Sequence, residues 1–147
     1  MLHTPLTNHA LRFAYAAHQG QLDYSDVPYI FHPFHLAEQM EDEYSTAAAL
    51  LHDVVEDTDY TLEDLASEGF PGPVLEAVAL LTHDPAVPYL DYVQKIADSG
   101  NAIARRVKLA DLKHNSDPGR LEAITPEDEK RFERYRKAQA LLGQTEV

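Results

Sequence analysis

The chain turns abruptly from apolar to titratable in its first half. Ala47, Ala48, Ala49, Leu50 and Leu51 are followed at once by His52, Asp53, Val54, Val55, Glu56 and Asp57. On a helix, residues four apart share a face, which groups His52 with Glu56 and Asp53 with Asp57. Burying such groups unpaired costs several kcal/mol each, and a divalent cation is an effective compensating charge. Taken alone, the segment fits a solvated helix end better than a metal site. Two other positions join it. His32 sits in PYIFHP, where a packed or capping histidine is the simpler reading, and Asp111 sits in RRVKLADLKHN, where an ion pair with Lys108 would also account for it. Together they form the order His…His-Asp…Asp. Two imidazoles and two carboxylates suit a borderline ion such as Mn²⁺, Fe²⁺ or Zn²⁺ better than Mg²⁺. The sequence has no cysteine, so thiolate ligands, cysteine nucleophiles and disulfides are excluded.

These residues need a scaffold, and the hydrophobic spacing predicts an all-α bundle of about seven or eight helices. The expected helices run from a Thr7 cap to about Gln19, from Pro33 to about Met40, and from a Ser45 cap through TAAALLHDVVED as one continuous segment. A capping box at Thr61 and Asp64 opens the fourth. Pro71 to Leu81, Pro88 to Ala97, Asn101 to Asn115, and a long helix from Pro126 to about Leu142 follow. Gly20 to Tyr29, with Asp26 and Pro28 as breakers, reads as an irregular loop. The length of 147 residues suits a single domain, 1–147.

Net charge is −13. Arg12 is the sole Lys or Arg before Lys95, and the other cations lie between Lys95 and Lys137. No overall basic footprint for nucleic acid is present, and no apolar run approaches the ~20 residues of a membrane span. With neither a basic n-region nor an apolar leader at the start, the expectation is a cytoplasmic protein. A phosphorylated substrate would need a metal or the cationic C-terminal part to offset the acidic remainder.

The order His…His-Asp…Asp is that of the HD superfamily. The segments AAHQGQ, PYIFHP, ALLHDVVEDT and VKLADLKHN resemble the hydrolase domain of RelA/SpoT proteins and the small stand-alone alarmone hydrolases, over about residues 10 to 118. The terminal helix with Tyr135, Lys137 and Ala138 also resembles single-domain bacterial members. The resemblance implies an HD-domain helical fold and metal-dependent hydrolysis of a small phosphorylated nucleotide, the 3′-pyrophosphate of (p)ppGpp foremost. It implies His32, His52, Asp53 and Asp111 as ligands of one divalent ion, usually Mn²⁺, and Glu56 and Asp57 as the acids that work on the attacking water. Lys108 and Asn115 match substrate-pocket residues, and His18 matches a histidine at the pocket edge, where packing explains it as well. No synthetase features stand among the 147 residues, so no pyrophosphokinase activity is expected.

One segment departs from that pattern. Where alarmone hydrolases carry an Arg/Lys pair, this chain has Gln21, Leu22, Asp23, Tyr24, Ser25 and Asp26. Replacing a cation by an anion beside a tetra-anionic substrate costs on the order of several kcal/mol at low effective dielectric. Compensation would come from Lys108, Arg105 or Arg120, with Arg106 and Lys113 turned to solvent. Tyr24 or Tyr29 could stack on a base. The run from Lys130 to Lys137, with its alternating signs, reads as a solvated helix face. Two alternatives stay open: an HD hydrolase of another phosphorylated metabolite (a nucleotide or NADPH phosphate), and a non-enzymatic helical binding module.

Overall fold

Side-chain caps set most of the helix starts. The computed structural model describes residues 1–143. Helix α1 (Pro5–Ala17) is capped by Thr4, whose hydroxyl accepts the Thr7 N–H at 3.2 Å. Thr7 is therefore the third residue of a capping box rather than the cap, and Pro5 takes the first helical position, where its missing N–H costs nothing. Helices α2 (Phe31–Glu38), α3 (Glu43–Leu51) and α4 (Val54–Asp57) follow. Asp42 caps α3 by accepting the Ser45 N–H at 2.8 Å, which moves the start ahead of the expected Ser45. The capping box at Thr61 and Asp64 opens α5 (Leu62–Ser67) as expected. Helices α6 (Gly72–Leu81), α7 (Tyr89–Ser99) and α8 (Ala102–Asn115) come next, then a 3₁₀ turn (Pro118–Arg120) and α9 (Pro126–Leu141). No strand forms among the described residues; Leu22 and Pro28 make an isolated bridge across the loop.

The expected third helix is broken in two. Asp53 has φ −103° and ψ 0°, values of the sparsely occupied bridge region, so the helix stops at Leu51 and resumes at Val54. The short α4 ends where Thr58 becomes extended and its hydroxyl donates to Val54 O at 2.6 Å. His52 and Asp53 thus stand in a turn between helices, and the i, i+4 register expected across His52 and Glu56 does not continue through it.

Helix α3 is the central element, buried from Ser45 to Leu51 and packed by α1, α2, α6 and α8. Ala47, Ala48 and Ala49 let neighbouring backbones approach closely, and Leu50 and Leu51 fill the remaining space with Leu36, Val78 and Val107. Each fully buried Leu contributes roughly 1.5–3 kcal/mol of hydrophobic stabilisation. Helix α9 packs on α7 and α8, with Ala138 buried in that contact. Positions 131, 134 and 135 fall on one face of α9 by helical spacing.

Candidate metal centre and cavity

Three elements deliver the four candidate ligands. His32 lies in the first turn of α2, His52 and Asp53 in the break after α3, and Asp111 on the inner face of α8. One ligand atom from each lies within 4.8 Å of all the others. His32 Nε2 is 2.8 Å from Asp111 Oδ1 and 3.9 Å from Asp53 Oδ2. His52 Nε2 is 2.9 Å from Asp53 Oδ2 and 3.5 Å from Asp111 Oδ1.

Each of these side chains also has a partner outside the cluster. His52 Nδ1 lies 2.7 Å from Ala49 O. A carbonyl only accepts, so Nδ1 carries the proton and Nε2 of the neutral ring presents a lone pair. That Nε2 is buried without an aligned hydrogen bond. Tyr29 donates its hydroxyl to Asp53. Lys108 Nζ donates to Asp111 Oδ2 at 2.9 Å and Asn115 to Asp111 Oδ1 at 3.0 Å. His32 Nδ1 lies 2.7 Å from His114 Nδ1. Such outer partners orient ligand atoms toward a common point.

The electrostatics ask for positive charge at that point. Burial alone would raise Asp53, but the His52 imidazole beside it holds its pKa down to about 2. Burial would likewise raise Asp111, yet Lys108 and the two histidines keep it well below the usual carboxylate range. Burial disfavours charge on His52, and the two carboxylates overcome that and push its pKa well up. Either a proton or a cation resolves the concentration of acceptors, and the donor set fits a borderline divalent ion.

Asp53 and Asp111 of the cluster line a cavity of about 630 Å³. Glu56 and Asp57 line it beside the cluster. Glu56 Oε1 accepts the His83 N–H at 2.6 Å. Its pKa is raised by burial and by the Asp53 charge, against the His83 hydrogen bond. Asp57 is pushed up to about 6 by partial burial, then by Asp53 and Glu56. Lys108 Nζ lies 5.2 and 5.0 Å from the Tyr89 and Tyr92 ring centroids, so its charge is committed to Asp111 and two aromatic faces.

The other expected site residues divide. Tyr29, Lys108 and Asn115 line the cavity. Arg105 does not: its Nε donates to Leu142 O at 2.8 Å, on a face of α8 turned toward the end of α9. His18 also stands outside, buried behind Tyr29, with Nδ1 2.9 Å from Gln21 Oε1. Arg106 is exposed and paired with Asp42, and Lys113 is exposed, as expected. Arg120 reaches the cavity but is tied by Nη1 to His114 O and Asn115 Oδ1, each at 3.1 Å, and by Nη2 to Asp23 Oδ2 at 3.4 Å.

The run read as a solvated face is half of a cavity wall. Lys130, Glu133, Arg134, Arg136 and Lys137 are exposed, as expected, but Arg134 also lines the cavity, together with the half-buried Arg131 and Tyr135. Arg131 pairs with Asp128 and lies over the Tyr24 ring at 4.7 Å. Arg134 lies 5.2 Å from the Tyr89 centroid and makes no ion pair among the described residues. Sequence reasoning missed this pair because the charge signs alternate along the chain, while the i, i+3 spacing was there to be read. It also missed Tyr89, Tyr92 and His83, which carry no motif.

No family model matches the chain. It is 47% identical to the guanosine-3′,5′-bis(diphosphate) 3′-pyrophosphohydrolase of Vibrio cholerae over 47% of this chain and 11% of that protein. It is 34% identical to the zebrafish (Danio rerio) guanosine-3′,5′-bis(diphosphate) 3′-pyrophosphohydrolase MESH1, over 71% of this chain and 64% of that one. A solved structure, described as a metazoan ortholog of SpoT that hydrolyzes ppGpp, superposes with a TM-score of 0.82 at 26% identity, covering 97% of this chain and 88% of that one. This chain is a homologue of the guanosine-3′,5′-bis(diphosphate) 3′-pyrophosphohydrolases. It shares their all-α HD-domain fold, and it spans from about a tenth to under two thirds of the length of the curated relatives named here. No helix among the described residues is long and apolar enough to cross a membrane.

Proposed function

We propose that this chain is a metal-dependent phosphohydrolase, folded as one domain, that removes the 3′-pyrophosphate of (p)ppGpp or a closely related nucleotide. The observation that carries this reading is the convergence of His32, His52, Asp53 and Asp111, two of which, Asp53 and Asp111, line a cavity together with Glu56 and Asp57. Those four residues would hold one divalent ion, with Mn²⁺ preferred and Fe²⁺ or Zn²⁺ compatible with the donors. When bound, such an ion polarises a phosphoryl oxygen and acidifies water.

The remaining work falls to the chain itself. Tyr29, Lys108 and Asn115 keep the two carboxylates turned toward the cluster. Glu56 has one oxygen held by His83 N–H and the other available for a water proton. Asp57, with a pKa near 6 in the metal-free protein, can exchange protons with the leaving oxygen near neutral pH. Arg131 and Arg134 face the cavity from α9 and are placed for the substrate's remaining phosphates, where the Gly20–Tyr29 loop offers Asp23. Hydrolysis consumes one water, breaks a P–O bond at the 3′ position and releases pyrophosphate with GDP or GTP. The cytoplasm is the proposed compartment, where such a nucleotide would be met.

Incubation of the purified protein with Mn²⁺ and ppGpp tests the reading, with GDP and pyrophosphate as the expected products. The absence of both with Mn²⁺, Fe²⁺ and Zn²⁺ would refute it. A second reading, hydrolysis of another phosphorylated metabolite such as a nucleotide or NADPH phosphate, is favoured by the Asp23–Arg120 pair, which leaves the loop no free cation. Phosphate release from such esters with ppGpp untouched would select it.

A further inference from the structure

His114 is the one outer partner in the cluster that is itself an imidazole. Its Nδ1 lies 2.7 Å from Nδ1 of His32, whose opposite nitrogen faces Asp111. The two rings are within 5° of coplanar, with centroids 5.0 Å apart. That separation is the nitrogen–nitrogen distance plus a ring radius at each end, so the rings meet edge to edge in one plane. This is the in-line arrangement a hydrogen bond prefers.

At that distance a single proton lies between the two nitrogens, because two lone pairs or two protons would repel. His32 Nε2 belongs to the cluster, and it offers a lone pair to a cation only if the His32 proton resides on Nδ1. His114 Nδ1 must then accept, with the His114 proton on its own Nε2. The acceptor is fixed in place: Arg120 Nη1 donates to the His114 carbonyl at 3.1 Å, and the His35 ring packs on it at 4.2 Å. His52 is served by a backbone carbonyl, which never donates, whereas His114 can exist in the wrong tautomer.

We infer that His114 is a positioning residue that fixes the His32 tautomer and thereby sets the affinity of the cluster for a divalent cation. The inference rests on the metal-centre reading above. Partners of this kind are worth about 10–100-fold in metal affinity.

The test is Mn²⁺ binding to the substrate-free protein, followed by the electron paramagnetic resonance of the free ion. His114→Phe keeps a ring but removes the acceptor, and His114→Asn restores an acceptor near the Nδ1 position. The expected result is roughly a 10–100-fold weaker Mn²⁺ affinity in His114→Phe, with His114→Asn close to wild type. Wild-type affinity in His114→Phe, or equal losses in both variants, overturns the inference. If His114→Phe does not fold, nitrogen NMR of the wild type loaded with Zn²⁺ decides: a proton on His32 Nδ1 and none on His114 Nδ1 supports it, and the reverse overturns it. A wild type that binds no Mn²⁺ overturns the metal centre and this inference together, whereas a binding wild type with an indifferent His114→Phe overturns this inference alone.

Discussion

Asp53 Oδ2 meets the His52 and His32 imidazoles and also accepts the Tyr29 hydroxyl. Asp53→Ala should therefore abolish Mn²⁺ binding and hydrolysis together; calorimetry with Mn²⁺ checks it, and retained binding would remove Asp53 from the ligand set. Glu56 stands one step out, so Glu56→Gln should keep Mn²⁺ affinity and KM while lowering kcat by about 10²–10⁴, the range for loss of a general base. A change in metal affinity without one in kcat would reassign Glu56 to the cluster. For Asp57, burial and two neighbouring carboxylates disfavour the charged form, so in the metal-free protein its carboxyl carbon should titrate near pH 6. A cation reverses that field, and adding Zn²⁺ should move the midpoint down. A midpoint unmoved by Zn²⁺ would separate Asp57 from the cluster. At this scale the sequence was informative for side chains whose chemistry is unusual in apolar surroundings, as His52 and Asp111 are. Tyr89 and Tyr92 escaped because an aromatic residue on a helix face is ordinary core until Lys108 is seen between the rings.

At the scale of elements, the break after Leu51 matters more than the helix it interrupts. A continuous helix would project His52 and Asp53 from neighbouring positions on one cylinder. The turn at Asp53 lets both approach His32 and Asp111 instead. Periodicity could not show it, since Val54 and Val55 continue the apolar pattern and a φ, ψ departure at one residue leaves no mark in composition. The caps were more legible. Thr61 with Asp64 was read correctly, while Thr7 was read as a cap because the capping box is symmetric in Thr at positions 4 and 7, and either can be taken as the first member. The break is anchored by the buried end of α3, so Leu50→Ala should cost about 2–5 kcal/mol, as for other fully buried Leu truncations. Urea denaturation measures this. A loss well under 1 kcal/mol would show that α3 is not the central packing element.

Across the whole molecule, the separation of charge along the chain becomes an arrangement in space. The acidic part supplies His32, His52, Asp53 and the acid pair, and the cationic C-terminal part adds Asp111 from α8 and lines the cavity through α9. The Asp23–Arg120 pair joins positions 97 residues apart, a closure that no local pattern reveals, and it removes Arg120 from the cations free to meet a substrate. Lys108 is likewise committed to Asp111. Arg131 is shared with Asp128 and Tyr24, which leaves Arg134, held among the described residues by aromatic faces alone, as the cavity-lining cation with the least competition. Arg134→Ala should therefore raise KM for an anionic nucleotide roughly tenfold or more, on the scale of the about 1.5–3 kcal/mol of a hydrogen bond to a charged group. Mn²⁺ affinity should not change, because Arg134 touches none of the ligands, and kcat should change little, because it is remote from Glu56 and Asp57 in function. The KM penalty should shrink as ionic strength rises, since salt screens a partly solvated charge in wild type and leaves nothing to screen in the variant. Steady-state kinetics at low and high salt checks both statements. An unchanged KM at low salt would return α9 to the solvated role that its alternating charges first suggested.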